Sequence, residues 1–246
     1  MRTIVALVFA SACFAQQPEF EVASIKPNTS GRPGSDFNRM PGGGLNAINV
    51  TLREMITFAW NLRDHQLIGA FGWMDSDRYD VFAKPTKNDN PTGAKRSFDE
   101  DFDPLRVKMR ALLIDRFKLA AHIETREMPV YALMVGKNGP HLEPSKSDGL
   151  TINNRKGLVI CKKCSMKAFA NSQSWRMGRT IIDQTGLTGE YDFQIKFTDD
   201  TAAASPDPTG PDFLTAMRET LGLVLQSQKA PVDVLVIEHA EKAAAN

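Results

Sequence analysis

Asn49-Val50-Thr51-Leu52-Arg53-Glu54-Met55-Ile56-Thr57-Phe58-Ala59-Trp60 is the stretch on which the reading of the fold turns. Thr51 with Glu54 three residues later makes a capping box, and the apolar residues that follow return at helical spacing, so a helix begins here. Further on, Tyr79-Asp80-Val81-Phe82 opens a strand. The same order comes back later in the chain. Lys163-Cys164-Ser165-Met166-Lys167-Ala168-Phe169-Ala170 offers Ser165 as the N-cap of a second helix. Tyr191-Asp192-Phe193-Gln194-Ile195 then opens a strand with the same Tyr-Asp pair and alternates through Phe197.

A second pair of elements follows the first. Leu105 to Leu119 carries Met109-Arg110, Leu112, Leu113 and Phe117, an amphipathic helix leading to a strand at Met128-Pro129-Val130-Tyr131-Ala132-Leu133-Met134-Val135. The later copy reads Phe213-Leu214, Met217-Arg218 and Leu221-Gly222-Leu223-Val224-Leu225. A strand at Ala230-Pro231-Val232-Asp233-Val234-Leu235-Val236-Ile237 closes it. Proline at the head of a strand is tolerated because that position need not donate to the ladder.

Four elements in matched order point to an internal duplication. The expected fold class is α+β: two similar halves, each with helices packed on a small, mainly antiparallel sheet, forming a pseudo-symmetric pair. With a leading strand near Phe20 to Ile25, residues 16–148 form the first half and 149–246 the second, together one compact unit. Asn28–Gly44, Lys84–Pro104, Lys137–Lys156 and Asp199–Pro211 are polar and rich in breakers, and read as surface loops or linkers. Ala240–Asn246 reads as a frayed tail.

The 246 residues carry a formal net charge of +1, with 42% hydrophobic and 24% charged. That composition supplies a core and solubility, and excludes whole-chain disorder, collagen, coiled coil and a polytopic membrane protein. The near-neutral balance argues against a nucleic-acid binder, which would cluster basic residues on one face. Met1 and Arg2 precede an apolar run from Ile4 to Ala12, followed by Cys13-Phe14-Ala15-Gln16-Gln17-Pro18. A basic start, a short apolar stretch and small residues at its exit make residues 1–15 a secretory signal peptide, cleaved after Ala15. The run is too short to span a bilayer. The rival is lipid attachment at Cys13, although Ala10 stands where such sites usually carry leucine. Export to the periplasm or the medium is expected, with no transmembrane segment in the mature chain. Cleavage leaves Cys161 and Cys164, an even pair suited to an oxidising compartment.

Cys161-Lys162-Lys163-Cys164 is the sharpest local motif. A thiol at a helix N-terminus beside two lysines would have a lowered pKa, which makes thiol-disulfide exchange through Cys161 a physical option. Both cysteines precede the N-cap Ser165, however, and Ala47 and Val50 occupy the matching places in the first half. The favoured reading is a structural disulfide or a reducible staple between Cys161 and Cys164. A zinc site would need a second cysteine pair. His65, His122, His141 and His239 are isolated, and no Gly-x-Ser-x-Gly elbow or phosphate loop occurs. Pro41-Gly42-Gly43-Gly44 reads as a turn, and Asp99-Glu100-Asp101 with Asp103 lacks the spacing of a calcium loop. No catalytic residue, metal or cofactor is therefore expected.

Trp60, Trp73 and Trp175 are candidates to line a binding cleft, against a base-rate reading in which tryptophan packs over a sheet edge. Arg53, Trp73 and Tyr79 are the candidate ligand contacts. The recurrence of Tyr79-Asp80 and Tyr191-Asp192 suggests a task belonging to the fold, with Asp accepting backbone hydrogen bonds at a strand start.

These motifs, with others along the mature chain, resemble a large family of secreted paralogues from soil bacteria, chiefly Acidobacteria, that carry a domain of unknown function. The matching residues include Phe20-Glu21-Val22-Ala23-Ser24-Ile25-Lys26-Pro27, Asn49-Val50-Thr51-Leu52-Arg53, Gly72-Trp73 and Leu112-Leu113-Ile114-Asp115-Arg116-Phe117-Lys118-Leu119. They continue with Glu124-Thr125-Arg126-Glu127-Met128-Pro129-Val130-Tyr131, Asp183-Gln184-Thr185-Gly186-Leu187-Thr188-Gly189-Glu190-Tyr191-Asp192-Phe193 and Lys229-Ala230-Pro231-Val232-Asp233-Val234-Leu235-Val236-Ile237. The resemblance brings no established activity and no catalytic residues. In some members a similar domain is joined to a membrane-bound, peptidase-like sensor of the antibiotic-response type. It implies an exported binding or sensory module with a protein or small-molecule partner outside the cytoplasm. The alternatives are a secreted hydrolase acting at the cleft between the halves, a thiol-disulfide exchanger and a structural envelope component.

Overall fold

Twelve strands and five α-helices make up the described residues, 19–85, 103–198 and 210–243 of the computed structural model. The expected leader with Cys13, and Asp99, Glu100 and Asp101, lie outside them. In chain order the first part runs β1 (Val22–Pro27), β2 (Asp36–Met40), β3 (Gly44–Thr51), α1 (Leu52–Trp60), β4 (Leu67–Ile68), α2 (Trp73–Ser76), β5 (Arg78–Lys84), α3 (Pro104–Phe117) and β6 (Ala120–Val135). It continues through β7 (Glu143–Pro144), β8 (Thr151–Arg155), β9 (Leu158–Ser165), α4 (Met166–Met177), β10 (Ile181–Asp183), β11 (Glu190–Lys196), α5 (Phe213–Leu221) and β12 (Leu223–His239). The fold is mixed α+β, with small and mainly antiparallel sheets.

Helix boundaries follow local chemistry. The Thr51 hydroxyl accepts from the Glu54 N–H at 3.1 Å, and the Glu54 carboxylate accepts from the Thr51 N–H at 2.7 Å, so α1 begins with a closed capping box. Helix α4 begins where Ser165 accepts from the Ala168 N–H at 3.2 Å. Asp103 caps α3, with Pro104 in its first turn, where the missing N–H has no intrahelical partner to lose. Its carboxylate also pairs with Arg39, so the Asp103 of the acidic stretch serves a helix start. Helix α5 ends at Gly222, at φ +68°, where a Cβ would lie 2.0 Å from the Gly139 carbonyl oxygen. Both the positive φ and the close approach demand glycine there.

Three four-stranded sheets form, in the orders β1-β5-β3-β2, β10-β6-β12-β4 and β7-β11-β9-β8. The middle sheet is built on β6 and β12, 16 and 17 residues long, which pair antiparallel from Leu223–Val135 to His239–Ala120. The short strands β4 and β10 add in parallel, at opposite ends of this ribbon. The apolar pattern marked only Met128–Val135 as strand, because residues 122–127 of β6 are exposed at the edge of the ribbon and have no core side to encode. The expected separate strands at Leu223–Leu225 and Ala230–Ile237 are one strand, β12. Pro129 and Pro231 therefore stand within strands and not at their heads. Beside each proline its strand is an edge, where a missing donor is tolerated.

Two expected loops also contain strands: β2 lies in Asn28–Gly44, and β7 and β8 in Lys137–Lys156. Strands β2 and β8 are polar edges, largely solvated, so neither shows the alternation that marks a half-buried strand. Apolar burial divides into two large clusters and a small third one. The first holds Met55, Ile56, Val81, Leu113 and Phe117, and takes Leu235 and Ile237 from β12. The second holds Val159, Met166, Phe169, Ile195 and Met217, and takes Leu133 from β6. Each long strand thus delivers its C-terminal end to the cluster built mostly by the other part of the chain.

Candidate functional site

Where α1 ends, the chain must turn across the seam between these clusters. Asn61 takes the left-handed conformation at φ 53° and terminates the helix, and a short 3-10 turn at Asp64–Gln66 leads into β4. Three side chains of this segment reach the second cluster's elements. Arg63 donates through Nη2 to the Asn171 carbonyl on α4 at 2.8 Å, and its guanidinium lies 4.2 Å from the Trp175 ring centre. His65 Nε2 lies 3.1 Å from the Thr180 hydroxyl, and Gln66 donates to the Asp233 carbonyl on β12 at 2.9 Å. Burial is the main cause that lowers the His65 pKa, and the Arg63 charge adds to it.

A cleft of about 360 Å³ opens along this seam. Its apolar surface comes from Trp60, Leu62, Ile123, Val234 and Leu235, and its charged residues are Arg63, Arg110 and Asp233. Arg110 reaches in from α3, donates through Nε to the Ala59 carbonyl at 2.8 Å, and lies 5.4 Å from the Trp60 ring centre. A guanidinium held by a carbonyl and an indole face keeps a fixed plane. Asp233 accepts from the Thr125 hydroxyl across the ribbon at 2.7 Å.

The tryptophans divide. Trp60 lines the cleft, Trp175 stacks on its Arg63 wall, and Trp73 lies elsewhere at the start of α2. Arg53, in the first turn of α1, makes a two-pronged ion pair with Asp75 of α2, one bond at 3.2 Å. That hydrogen bond raises the arginine's pKa. Lys242 lies 5.8 Å from the Trp73 ring and pairs with Asp77 at 2.7 Å. Arg53 and Trp73 thus meet at the α1–α2 corner, where each is held by its own neighbours. Tyr79 is 3% exposed and packs edge-on against Phe117, centroids 5.2 Å apart; burial raises its phenol pKa. None of these three lines the cleft. The arginines that do were not singled out from the sequence, because Arg63 and Arg110 are 47 residues apart and no motif joins them. Trp60 was the visible signal.

The cysteines are buried at the turn from β9 into α4. Cys161 donates to Cys164 with the sulfurs 2.9 Å apart, longer than the S–S bond of about 2.05 Å. The thiol pKa expected to fall is instead raised at Cys161, first by the hydrogen bond to Cys164 and then by burial. A buried thiol with a raised pKa is a poor nucleophile, so the geometry disfavours exchange chemistry through Cys161. The recurring Tyr-Asp pairs do the expected fold-level work. Asp80 accepts from the Asn49 N–H at 2.9 Å and from Asn28 at 2.7 Å. Asp192 accepts from the Lys163 and Lys146 N–H groups and from the Ser145 and Ser147 hydroxyls. These bonds, led by that of Ser145, hold its carboxyl well below the usual carboxylate range. Among the described residues, no group of three or more His, Cys, Asp and Glu is placed to hold a metal, and no helix is long and apolar enough to cross a membrane.

Fold and cleft together define a mixed α+β protein with a polar groove, walled by two arginines, at the seam of two hydrophobic clusters. The chain belongs to DUF3738, a family of proteins of unknown function, whose family model matches residues 53–240. No curated protein and no solved structure matches it.

Proposed function

We propose that this protein is an exported, non-enzymatic binding module whose small-molecule or protein ligand enters the cleft between the two clusters. The observation that carries the reading is the cleft itself: a polar groove of about 360 Å³ at the seam, in whose walls Arg63 and Arg110 are each held by a carbonyl and an indole. Such a site is preorganised for binding. Export rests on the leader pattern of residues 1–15, and membership among secreted paralogues of soil bacteria, chiefly Acidobacteria, rests on the residues quoted above. In an oxidising compartment Cys161 and Cys164 close to a disulfide as the chain folds, before the corner buries them, giving up two protons and two electrons to a disulfide-type oxidant of that compartment.

The reading also includes an internal duplication over residues 16–148 and 149–246. Its support is positional: β1-β5-β3-β2 and β7-β11-β9-β8 correspond strand for strand, and β10-β6-β12-β4 is unchanged in kind when read from either end. The test combines fractionation of an expressing cell with a ligand and substrate screen on the exported chain. Export predicts an N-terminus at Gln16 outside the cytoplasm; a cytoplasmic chain that keeps residues 1–15 overturns it. Binding predicts a ligand-induced rise in melting temperature that Trp60→Ala abolishes. A substrate consumed by the wild type, and not by a point variant, overturns the non-enzymatic reading.

A further inference from the structure

We infer that the chain forms a homodimer through the open edge of β6, where residues 121–129 of two copies pair antiparallel about Thr125. The ribbon keeps regular register along β6 from Ala121 to Val135. Bonds near its far end show which backbone groups point away from β12. Tyr131 donates to the Thr180 carbonyl at 2.9 Å, and the Leu133 carbonyl accepts from the Gln184 N–H at 2.9 Å. Alternation along the strand turns Pro129, Glu127, Thr125, Ile123 and Ala121 the same way. No described strand pairs with them on that side, because the β10 ladder begins at Tyr131 and β4 lies against β12.

Proteins normally blunt such an edge with a bulge, a cover or a proline. Here residues 122–127 are exposed on both faces, no bulge interrupts the stretch, and its proline falls only at the end. Ile123, 64% exposed, is the most exposed large apolar side chain among the described residues. Charge selects the partner and the register. Centred on Thr125, Glu124 of each copy faces Arg126 of the other as a closely spaced cross-strand pair. Centred one residue either way, Glu124 would face Glu124 or Arg126 would face Arg126. Within each copy Arg126 already donates to Glu124 at 2.8 Å, so the dimer closes a ring of four alternating charges. Every outward N–H from Ala121 to Glu127 then finds a carbonyl, and the missing donor of Pro129 falls at the two ends. The outer edge of β12 offers no such match, since Lys229 is its sole charged residue from Leu223 to Val232. A patch complementary to itself closes as a two-fold pair.

Sedimentation equilibrium of the purified chain is the test. The wild type is expected to be dimeric at about 100 micromolar, as befits a small interface; a chain still monomeric there overturns the inference. Ile123→Pro removes an outward N–H and no bond to β12, and should weaken the dimer at least about tenfold. Glu124→Arg and Arg126→Glu, each alone, set like charges opposite one another and should weaken it about as much. Both sites are solvated, so these variants keep the inference testable if Ile123→Pro does not fold. Mixed in equal amounts, the two charge variants should regain a dimer, because one chain then brings only cations to the edge and the other only anions. A mixture that stays monomeric, or a wild-type dimer indifferent to all three changes, overturns the assignment of β6. Amide hydrogen exchange gives a second reading. The Ile123, Thr125 and Glu127 N–H groups should be protected in the wild type and exchange freely in the Glu124→Arg chain; equal exchange in both overturns the pairing.

Discussion

The corner where β3 enters α1 and the corner where β9 enters α4 have the same backbone and different fillings. In each, an L-residue takes a left-handed conformation at the bulge, Asn49 at φ 58° and Lys163 at φ 50°. Its N–H is held by an aspartate from the paired strand, Asp80 or Asp192. A Ser or Thr then caps the helix. In the first corner Ala47 and Val50 flank the bulge and point into the core; in the second Cys161 and Cys164 do. Asn49 also donates its side-chain amide to the Arg32 and Gly34 carbonyls, whereas Lys163 reaches out toward Asp148. The bulge is set by a carboxylate accepting a backbone N–H, and the side chains on either side of it need only be small enough to bury. Sulfur is an addition to that corner and not a condition for it.

The largest way to break the symmetry of the two parts is at the ribbon, where they exchange strand ends. Leu235→Ala and Leu133→Ala should each cost about 2–5 kcal/mol in urea unfolding, since Leu235 is 2% exposed in the first cluster and Leu133 is 1% exposed in the second. If either change melted one part and left the other folded, the coupling through the ribbon would be wrong. Next come the aspartates. Asp80→Ala leaves the Asn49 N–H, on a residue 4% exposed, without its acceptor, and should cost about 1–3 kcal/mol.

Asp192 sharpens the comparison through pH. Its folded carboxyl is depressed, so its contribution is fully present above the ordinary carboxylate pKa of about 3.9 and is lost as pH falls below that value. Melting temperatures measured from pH 6 down to pH 2 should fall less steeply in Asp192→Asn than in the wild type. The double change Cys161→Ala with Cys164→Val installs the first corner's residues in the second. In reductant it should shift stability by less than about 1.5 kcal/mol, and a larger loss would give the thiols a packing role of their own. The smallest effect belongs to the seam. The lowered His65 pKa means that its neutral form suits the fold, so stability is complete above about pH 6.5 and declines as pH drops below it. His65→Gln should remove that shallow limb of the urea midpoint curve.

Local chemistry carried much of the fold. The Thr51–Glu54 box, the Ser165 cap, the α3 and α5 stripes and the Tyr-Asp strand starts are contacts between residues close in sequence, or signals of period two and 3.6. Each could be read without knowing what packs against it. The polar edge strands β2 and β8 and the exposed length of β6 escaped that reading. A strand held by ladder hydrogen bonds with both faces wet leaves no hydrophobic period to detect.

The cleft was legible only through its tryptophans. Trp60 and Trp175 were visible as large aromatics, whereas Arg63 and Arg110 become neighbours only because α1, α3, α4 and β12 converge on one seam. By itself the sequence determined the helices, their caps and the core-facing strands, because those follow from residues within a few positions of one another or from their periodicity, whereas each aspartate-held corner joins residues 31 or 29 positions apart. Tertiary structure alone decided that β6 and β12 pair along nearly their whole length, that each ends in the other's cluster, and that two arginines from separate helical segments face one groove. Burial of apolar surface from distant segments drives that convergence, and the charges it brings together are a consequence of packing that no local pattern records.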